Sequence, residues 1–385
     1  MARDREIAAE IRESRQRKKI AKLLNFDYTL LLIIIFVLAI GLVMLYSTSA
    51  YAASLKFGDS TYYLKKQLFA ACLGFVGMFF TTKIDYRRWS SFVPAIFWVS
   101  AFLCVIVIFI GTTLNGQSRW LSIGGINVQP SEIGKVAVIL LIARKIEKRP
   151  KSLRTLQGLF PIFLSITPVF LPVVYNNLST AVIIFGIAFV MVFVASPMNK
   201  EFFAIAGIGV AAIVGFISMA SYRGSRVSTW LHPEDYIDSS GYQTLQGLYA
   251  IGSGGLFGKG LGNSMQKYIV PEAQNDMIFS IICEELGVFG AICIILLYIL
   301  LLYRLLFIAG HAKDMFGSYI CIGILAHIAI QVILNIAVVT NSIPNTGVTL
   351  PLISYGGTSV AILLTELGLA LSVSKNMELG GTDNV

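Results

Sequence analysis

The sequence has few charged residues, and its cysteines and histidines lack the spacing of a metal site. Only 13% of the 385 residues are charged, about half of the proportion that is usual in a soluble domain. This shortfall excludes a cytosolic globular enzyme and a disordered chain. The five cysteines all lie inside apolar runs, without the pattern of a disulfide framework, and are expected to be small packing residues.

Apolar runs of spanning or near-spanning length dominate the chain. Hydrophobic residues make up 56% of the sequence, and the mean hydropathy is +0.75. We predict an all-α integral membrane protein with ten transmembrane helices, because a helix crosses the hydrocarbon core in about 20 residues. The predicted spans lie near residues 27–48, 67–82, 89–111, 131–145, 156–174, 178–196, 201–220, 277–304, 316–340 and 354–374.

Basic residues indicate how the spans are oriented. Lys and Arg are concentrated in the N-terminal segment and in the loops on its side, so the sequence predicts that both termini are cytoplasmic. The same bias explains the net charge of +9 without a nucleic-acid partner. The predicted parts are a basic cytoplasmic tail (1–26), a ten-span membrane domain (27–375) and a cytoplasmic C-terminal tail (376–385). One long extracellular loop, residues 221–275, joins spans seven and eight, and connections of this length are usually functional or disordered.

A glycine-rich run lies in that loop, over residues 252–262. It is not a phosphate-binding P-loop, since Ser253 stands where the first glycine is needed and Gly260 where Ser or Thr is needed. Two interpretations stay open. The glycines provide tight turns that fold the loop onto the membrane domain, or the backbone approaches a substrate while Lys259 meets its anionic oxygens.

Asp276 is the strongest catalytic candidate. It immediately precedes span eight, so it is expected at the outer membrane boundary beside the long loop. The structural alternative is a helix N-cap, a position that Asp favours. No capping box supports that alternative, since neither Ile278 nor Phe279 is Glu or Gln.

Several charged side chains fall inside predicted spans. Glu132 and Lys135 are three residues apart in span four and are expected to form an ion pair on one helix face. Glu284, Glu285 and Glu366 have no partner that the sequence reveals. Charges at membrane depth are costly and usually mark a cavity or a pairing partner.

The outer side also carries cations that could contact phosphate. Arginine suits bidentate phosphate contacts, so these residues form a candidate phosphate clamp, with ordinary surface charge as the alternative for each. They are Arg119, Arg223, Arg226, Lys259 and Lys267.

Four sequence motifs, in this order, carry a family resemblance. They are WLSIGG (120–125) with QPSEIGK (129–135), GYQ (241–243) leading to AIGSGGLFG (250–258), PEAQND (271–276) with EELG (284–287), and TLPLISYGG (349–357). Together they resemble the SEDS proteins (shape, elongation, division and sporulation), the group of FtsW, RodA and SpoVE. The resemblance covers residues 27–375 and favours the FtsW/SpoVE branch, although Asn275 and Met277 depart from the residues that many members have there.

The resemblance implies a function in bacterial wall synthesis. Such proteins are peptidoglycan glycosyltransferases of the plasma membrane, which polymerise lipid II, an undecaprenyl diphosphate-linked disaccharide peptide, at its outer face. The family's catalytic acidic residue corresponds to Asp276, which would act as general base in an inverting transfer. Supporting or substrate-binding roles are expected for Glu132, Lys135, Arg119, Arg223, Arg226, Lys259, Glu284, Glu285 and Ser354.

The resemblance also implies partners. These are lipid II, membrane lipid, a class B penicillin-binding protein that acts as transpeptidase, and other division proteins. The leaving diphosphate needs positive charge, from basic side chains or from a divalent cation such as Mg²⁺ or Mn²⁺; no metal ligands can be assigned. Two alternatives remain: a lipid II flippase or transporter, and a non-catalytic scaffold for the division transpeptidase.

Overall fold

Helices form almost all of the architecture. The computed structural model describes residues 26–114, 117–124, 126–197, 207, 209, 227–237 and 240–377. Its α-helices are α1 (Tyr28–Phe57), α2 (Tyr62–Lys83), α3 (Tyr86–Ile110), α4 (Pro130–Lys148), α5 (Leu156–Asn176), α6 (Leu178–Ala195), α7 (Ser240–Ser253), α8 (Ile278–Gly310), α9 (Met315–Val339) and α10 (Thr358–Ser374). Short 3₁₀ helices cover Pro150–Arg154, Pro233–Tyr236 and Gln266–Tyr268.

A small antiparallel sheet connects α3 to α4. Its strands are β1 (Thr112–Leu114), β2 (Gln117–Ile123) and β3 (Ile126–Val128), in the order β1-β2-β3. The sheet lies at the end of the bundle where α3 finishes and α4 begins.

The predicted multi-pass helical membrane architecture is confirmed. Among the described residues, seven helices are long and apolar enough to cross a bilayer, namely α1, α2, α3, α5, α6, α8 and α9. Helix α10 is apolar but shorter, and α4 carries the charged pair Glu132 and Lys135. The predicted seventh span, 201–220, lies outside the described residues except for two positions. The number ten therefore stays a prediction.

Small residues bring α2 and α10 into close contact. A methyl group at Gly77 would lie 2.2 Å from Thr365 Oγ1, and one at Gly368 would lie 2.1 Å from Thr81 Oγ1. Thr81 Oγ1 donates a hydrogen bond to the Thr365 carbonyl at 3.0 Å. Small residues and interhelical hydroxyl bonds hold helices together where lipid removes the hydrophobic driving force.

Both ends of the described chain lie on one face of the bundle. The Asp27 amide donates to Ser374 Oγ at 3.2 Å, and Arg304 donates to the Asp27 carboxylate at 2.6 Å. An even number of spans requires this arrangement. The opposite face holds the sheet, the beginning of α8 and residues 340–357, and we refer to it as the site face.

Helix α8 is interrupted at Gly287, which has non-helical torsion angles (φ 68°, ψ −169°). The glycine-rich run supplies hydrogen bonds at this break. The Lys259 and Gly260 amides donate to the carbonyls of Glu284 and Glu285 at 2.9 and 3.0 Å. A methyl group at Gly258 would lie 2.2 Å from the Glu285 carbonyl oxygen, so only glycine allows this approach. The interpretation of the run as a tightly folded loop is confirmed.

Helix α7 leads from the site face to this break. Gln243, near its beginning, contacts Asp276, and Gly247 faces Met277 and Ser280. The helix therefore runs alongside the first turns of α8 in the same direction. Part of the long loop between spans seven and eight therefore packs against α8.

Candidate functional site

A series of turns from Pro271 to Met277 positions Asp276. Within it, Glu272 has a left-handed conformation (φ 54°), and the Asn275 amide donates to the Glu272 carbonyl at 2.9 Å. These turns delay the start of α8 to Ile278, with Met277 as the N-cap and no side-chain capping bond. The N-cap interpretation of Asp276 is therefore wrong, since the residue precedes the cap.

Amide side chains from two helices contact Asp276. Gln243 Nε2 of α7 donates to Asp276 Oδ1 at 3.4 Å. Asn335 Nδ2 of α9 donates to the Asp276 carbonyl at 2.8 Å and to the Val348 carbonyl at 2.8 Å. Asp276 is only 8% exposed. Its backbone is fixed by α9 and its carboxylate is contacted from α7.

The segment between α9 and α10, residues 340–357, covers Asp276, and we call it the outer segment. A methyl group on Gly347 would lie 3.9 Å from Asp276 Oδ2. Asn345 Nδ2 donates to Gln243 Oε1 at 3.0 Å, which orients the Gln243 amide so that its NH₂ group faces the carboxylate. The Tyr355 amide donates to the Gln274 carbonyl at 2.9 Å.

Ser354 is buried in the outer segment. Its hydroxyl accepts the Leu350 amide at 2.8 Å, and its carbonyl accepts Gln67 Nε2 of α2 at 3.1 Å. The structure therefore gives Ser354 a place in the turn that shapes the outer segment. Its predicted supporting role near the substrate stays a prediction.

Sequence reasoning did not identify the amides around Asp276. Gln243 belongs to a motif that carried the family resemblance, but nothing in its spacing linked it to a residue 33 positions later. Asn335 offered a clearer signal, because a buried amide inside an apolar run needs hydrogen-bond partners.

The predicted ion pair between Glu132 and Lys135 is confirmed. Lys135 Nζ lies 2.8 Å from Glu132 Oε1, and both side chains are buried. Ser359 Oγ, at the beginning of α10, donates to Glu132 Oε2 at 2.9 Å. The pair therefore joins α4 to α10 as well as lying on one face of α4.

The sequence left Glu284 and Glu285 without partners, and the long loop provides them. Lys259 Nζ lies 2.7 Å from Glu284 Oε1. Lys267 Nζ lies 3.6 Å from Glu285 Oε1, and Ser47 Oγ of α1 donates to the same carboxylate at 2.7 Å. Two of the candidate phosphate-clamp cations thus face buried carboxylates.

The other clamp candidates are placed differently. Arg119, in β2, donates from Nε to the Asn176 carbonyl at 3.1 Å, which ties the sheet to the end of α5. Arg223 and Arg226 lie outside the described residues. The clamp therefore stays a prediction.

Glu366 of α10 has a histidine partner that the sequence did not reveal. His327 Nδ1 of α9 lies 2.9 Å from Glu366 Oε2, and both side chains are buried. No group of three or more His, Cys, Asp or Glu side chains able to hold a metal occurs in the part of the chain that the structure describes. The contact therefore joins α9 to α10.

We expect the His327–Glu366 contact to stabilise the bundle only as a pair. His327→Leu leaves the buried carboxylate unpaired and lowers the free energy of unfolding by about 3–5 kcal/mol. The double variant His327→Leu/Glu366→Leu regains most of this loss, because replacing a whole buried pair with apolar groups is often close to neutral. Thermal unfolding in detergent measures both, and a double variant as unstable as the single one contradicts the prediction.

Comparison with known proteins confirms the family resemblance. The family model described as "Cell cycle protein", for FtsW, RodA and SpoVE, matches residues 28–379. Stage V sporulation protein E of Bacillus subtilis is 40% identical over 354 residues, which cover 91% of this chain and 97% of that protein. A probable peptidoglycan glycosyltransferase FtsW of Trichlorobacter lovleyi is 36% identical, with 94% and 96% coverage. Both relatives are named for the FtsW/SpoVE branch, which the sequence resemblance favours.

Solved structures share the fold over nearly their whole length. A chain of a peptidoglycan synthase complex that coordinates polymerisation and crosslinking has a TM-score of 0.77 at 27% identity, covering 92% of this chain and 99% of its own. The rod shape determining protein RodA of Thermus thermophilus has a TM-score of 0.69 at 25% identity, with 91% and 97% coverage. This chain belongs to the FtsW/RodA/SpoVE family.

Proposed function

We propose that this chain is a peptidoglycan glycosyltransferase that polymerises lipid II at the outer face of the bacterial plasma membrane. The observation that carries the proposal is Asp276, a buried carboxylate at the site face that Gln243 contacts at 3.4 Å. It supports the proposal together with the relatives that are named for this activity. In this orientation both termini are cytoplasmic, and the site face is outside the cell.

The proposed reaction is an inverting glycosyl transfer. Asp276 accepts the proton of the acceptor GlcNAc 4-hydroxyl while that oxygen forms a bond to the anomeric carbon of the donor MurNAc. The bond from this carbon to the diphosphate breaks, and undecaprenyl diphosphate leaves with the electron pair. Gln243 orients the carboxylate, and Asn335 holds the backbone that carries it. A positioned base of this kind contributes about 10²–10⁴-fold to the rate.

The acceptor needs access to Asp276. Asp276 is 8% exposed, and it lines neither the cavity beside Arg119 nor the one beside Lys267. Gly347 and Gln243 are among the groups that cover it. We therefore propose that the acceptor displaces contacts of the outer segment when it binds.

Positive charge at the diphosphate is a further part of the proposal. Arg119, Arg223, Arg226 and Lys259 remain candidate phosphate ligands. The described residues contain no group of three or more metal-ligating side chains, so they do not fit a protein-held Mg²⁺ or Mn²⁺ site. A divalent cation therefore stays a prediction.

We also propose a crosslinking partner. The solved synthase complex that this chain resembles coordinates polymerisation with crosslinking. A class B penicillin-binding protein would perform the second reaction on the strands that this chain makes. Other division proteins are expected to join the two.

An assay with purified protein tests the proposed function. The full chain in detergent, given fluorescent lipid II, should produce a ladder of glycan strands on a gel, with or without the transpeptidase. A flippase would move lipid II across a vesicle membrane without forming polymer, and a scaffold would do neither. Absence of polymer in the presence of the transpeptidase would contradict the proposal.

A further inference from the structure

A second feature of the bundle has the shape of a lipid site. A groove of about 510 Å³ lies between α1, the beginning of α2, the end of the glycine-rich run and the chain that follows it. Leu42, Val43, Tyr46 and Leu261 form its apolar part, while Ser47 and Lys267 form its polar part. Tyr46 and Val43 are exposed, so the groove opens sideways.

The depth of the groove follows from the length of α1. This helix has 30 residues, which is longer than the ~20 residues that cross the hydrocarbon core. Its first turn meets the Asp27–Arg304 ion pair, and such charges belong at the membrane boundary. Counted from there, about 20 residues reach Ser47. In the proposed orientation, the apolar part of the groove therefore lies in the outer leaflet and its polar part at the level of the lipid headgroups.

The polar part carries a positioned cation. Lys267 Nζ donates to the Gly262 carbonyl at 2.6 Å and lies 3.6 Å from Glu285 Oε1. Its side chain is only 7% exposed, which fixes the ammonium group at the groove. Two further lysines are exposed at the site face: Lys56 near the end of α1 and Lys66 near the beginning of α2. Apolar walls below a cationic end complement a lipid that has a long chain and a phosphate head.

The groove is separate from Asp276. Glu285 accepts a hydrogen bond from Ser47 of α1, whereas Asp276 is contacted by Gln243 of α7 and Asn335 of α9. Asp276 is also not among the residues that line the groove.

The two places are nevertheless linked along the site face. Leu64 lines the groove, and its neighbour Tyr63 packs against Tyr355 with ring centroids 5.0 Å apart. The Tyr355 amide donates to Gln274, two residues before Asp276. A head group held at the polar end of the groove would therefore have a short path along the site face to the carboxylate.

We propose that this groove binds the polyprenyl chain of one of the two lipid-linked substrates, with its diphosphate near Lys267. This inference rests on the proposed function, because the transfer joins two lipid-linked sugars that must be held at the same time. The site at Asp276 provides for the reacting groups, and the groove provides an anchor for one of the two lipids.

Binding of undecaprenyl diphosphate to the purified full chain tests the inference, since this probe has no sugar and cannot react. Val43→Trp fills the groove and should raise the Kd at least about tenfold, because several apolar contacts of the chain are lost. Lys267→Gln should also weaken binding. Val99→Trp is the matched control. Val99 of α3 is 57% exposed and Val43 is 51% exposed, but Val99 does not line the groove. It should bind as the unmodified chain does.

The outcomes separate this inference from the proposed function. Unchanged binding by Val43→Trp overturns the inference, as does displacement of the probe by an equal concentration of phosphatidylglycerol, which would make the groove a general lipid surface. If the unmodified chain forms no polymer but the variants show the expected binding order, the proposed function fails and the groove stands as a polyprenyl diphosphate site.

Discussion

Asp276→Asn should lower the rate of lipid II polymerisation by about 10²–10⁴-fold, the contribution of a positioned general base. The substitution keeps the shape of the side chain and an oxygen that can accept from Gln243, which now lies 3.4 Å from Oδ1. It also leaves the backbone contact with Asn335 in place. The fold should therefore be retained while the proton acceptor is lost. Initial rates with fluorescent lipid II measure the effect, and thermal unfolding confirms that the protein is intact.

A neighbouring acidic residue provides the control for this variant. Glu272 lies in the same series of turns, is exposed, and contacts Asn275. Glu272→Gln removes one negative charge from the same surface and should leave the rate close to that of the unmodified chain. Equal losses in both variants would mean that surface charge matters and not proton transfer. If Asp276→Asn polymerises lipid II at a rate within about threefold of the unmodified chain, Asp276 is not a general base, because the loss of such a base has a far larger effect.

Local patterns allowed the sequence to predict much of the site. The spacing of Glu132 and Lys135 was enough to predict their pairing, because residues three apart share a helix face. The boundary position of Asp276 followed from the end of the long loop and the beginning of an apolar run. The N-cap interpretation was wrong because the turns from Pro271 to Met277 delay the start of the helix by one residue, which makes Met277 the N-cap.

Contacts between distant segments could not be predicted in this way. His327 and Glu366 are 39 positions apart, and each lies in its own apolar run. The break in α8 was also hidden, since Gly287 stands in a run that is apolar on both sides and glycine is common in membrane helices. The glycine-rich run suggested a loop folded onto the membrane domain, but without the break nothing in the pattern showed that it would pack at this point of α8 and supply partners for Glu284 and Glu285.

Glu284→Ala should produce a large loss of stability. The carboxylate is fully buried, and it accepts from Lys259 Nζ at 2.7 Å and from Ser264 Oγ. The amides of Met265 and Gln266 also donate to it, at 3.3 and 3.2 Å. Removing it leaves these donors without an acceptor and a lysine without its counter-ion. We expect the free energy of unfolding to fall by about 3–5 kcal/mol, measured by thermal or denaturant unfolding in detergent.

A double-mutant cycle with Lys259 distinguishes pairing from packing. Lys259→Met should cost less than Glu284→Ala, because the lysine side chain is 36% exposed and the carboxylate would keep its uncharged donors. Glu284→Gln retains the shape and one acceptor, so it should be less harmful than alanine. If the pair matters, the loss in Lys259→Met/Glu284→Gln is smaller than the two single losses added together. Additive losses would mean that the two side chains act independently.

The same variants connect stability to the site. Glu284 anchors the chain that returns from the glycine-rich run, and α7, which leads into that run, places Gln243 against Asp276. Loosening this anchor should therefore increase proteolysis between residues 254 and 270 and also lower polymerisation, whereas Asp276→Asn should lower polymerisation without a change in proteolysis. If Glu284→Ala leaves both unfolding and proteolysis unchanged, the contacts of its carboxylate do not hold the loop. The positioning of Gln243 would then depend on the outer segment, through Asn345.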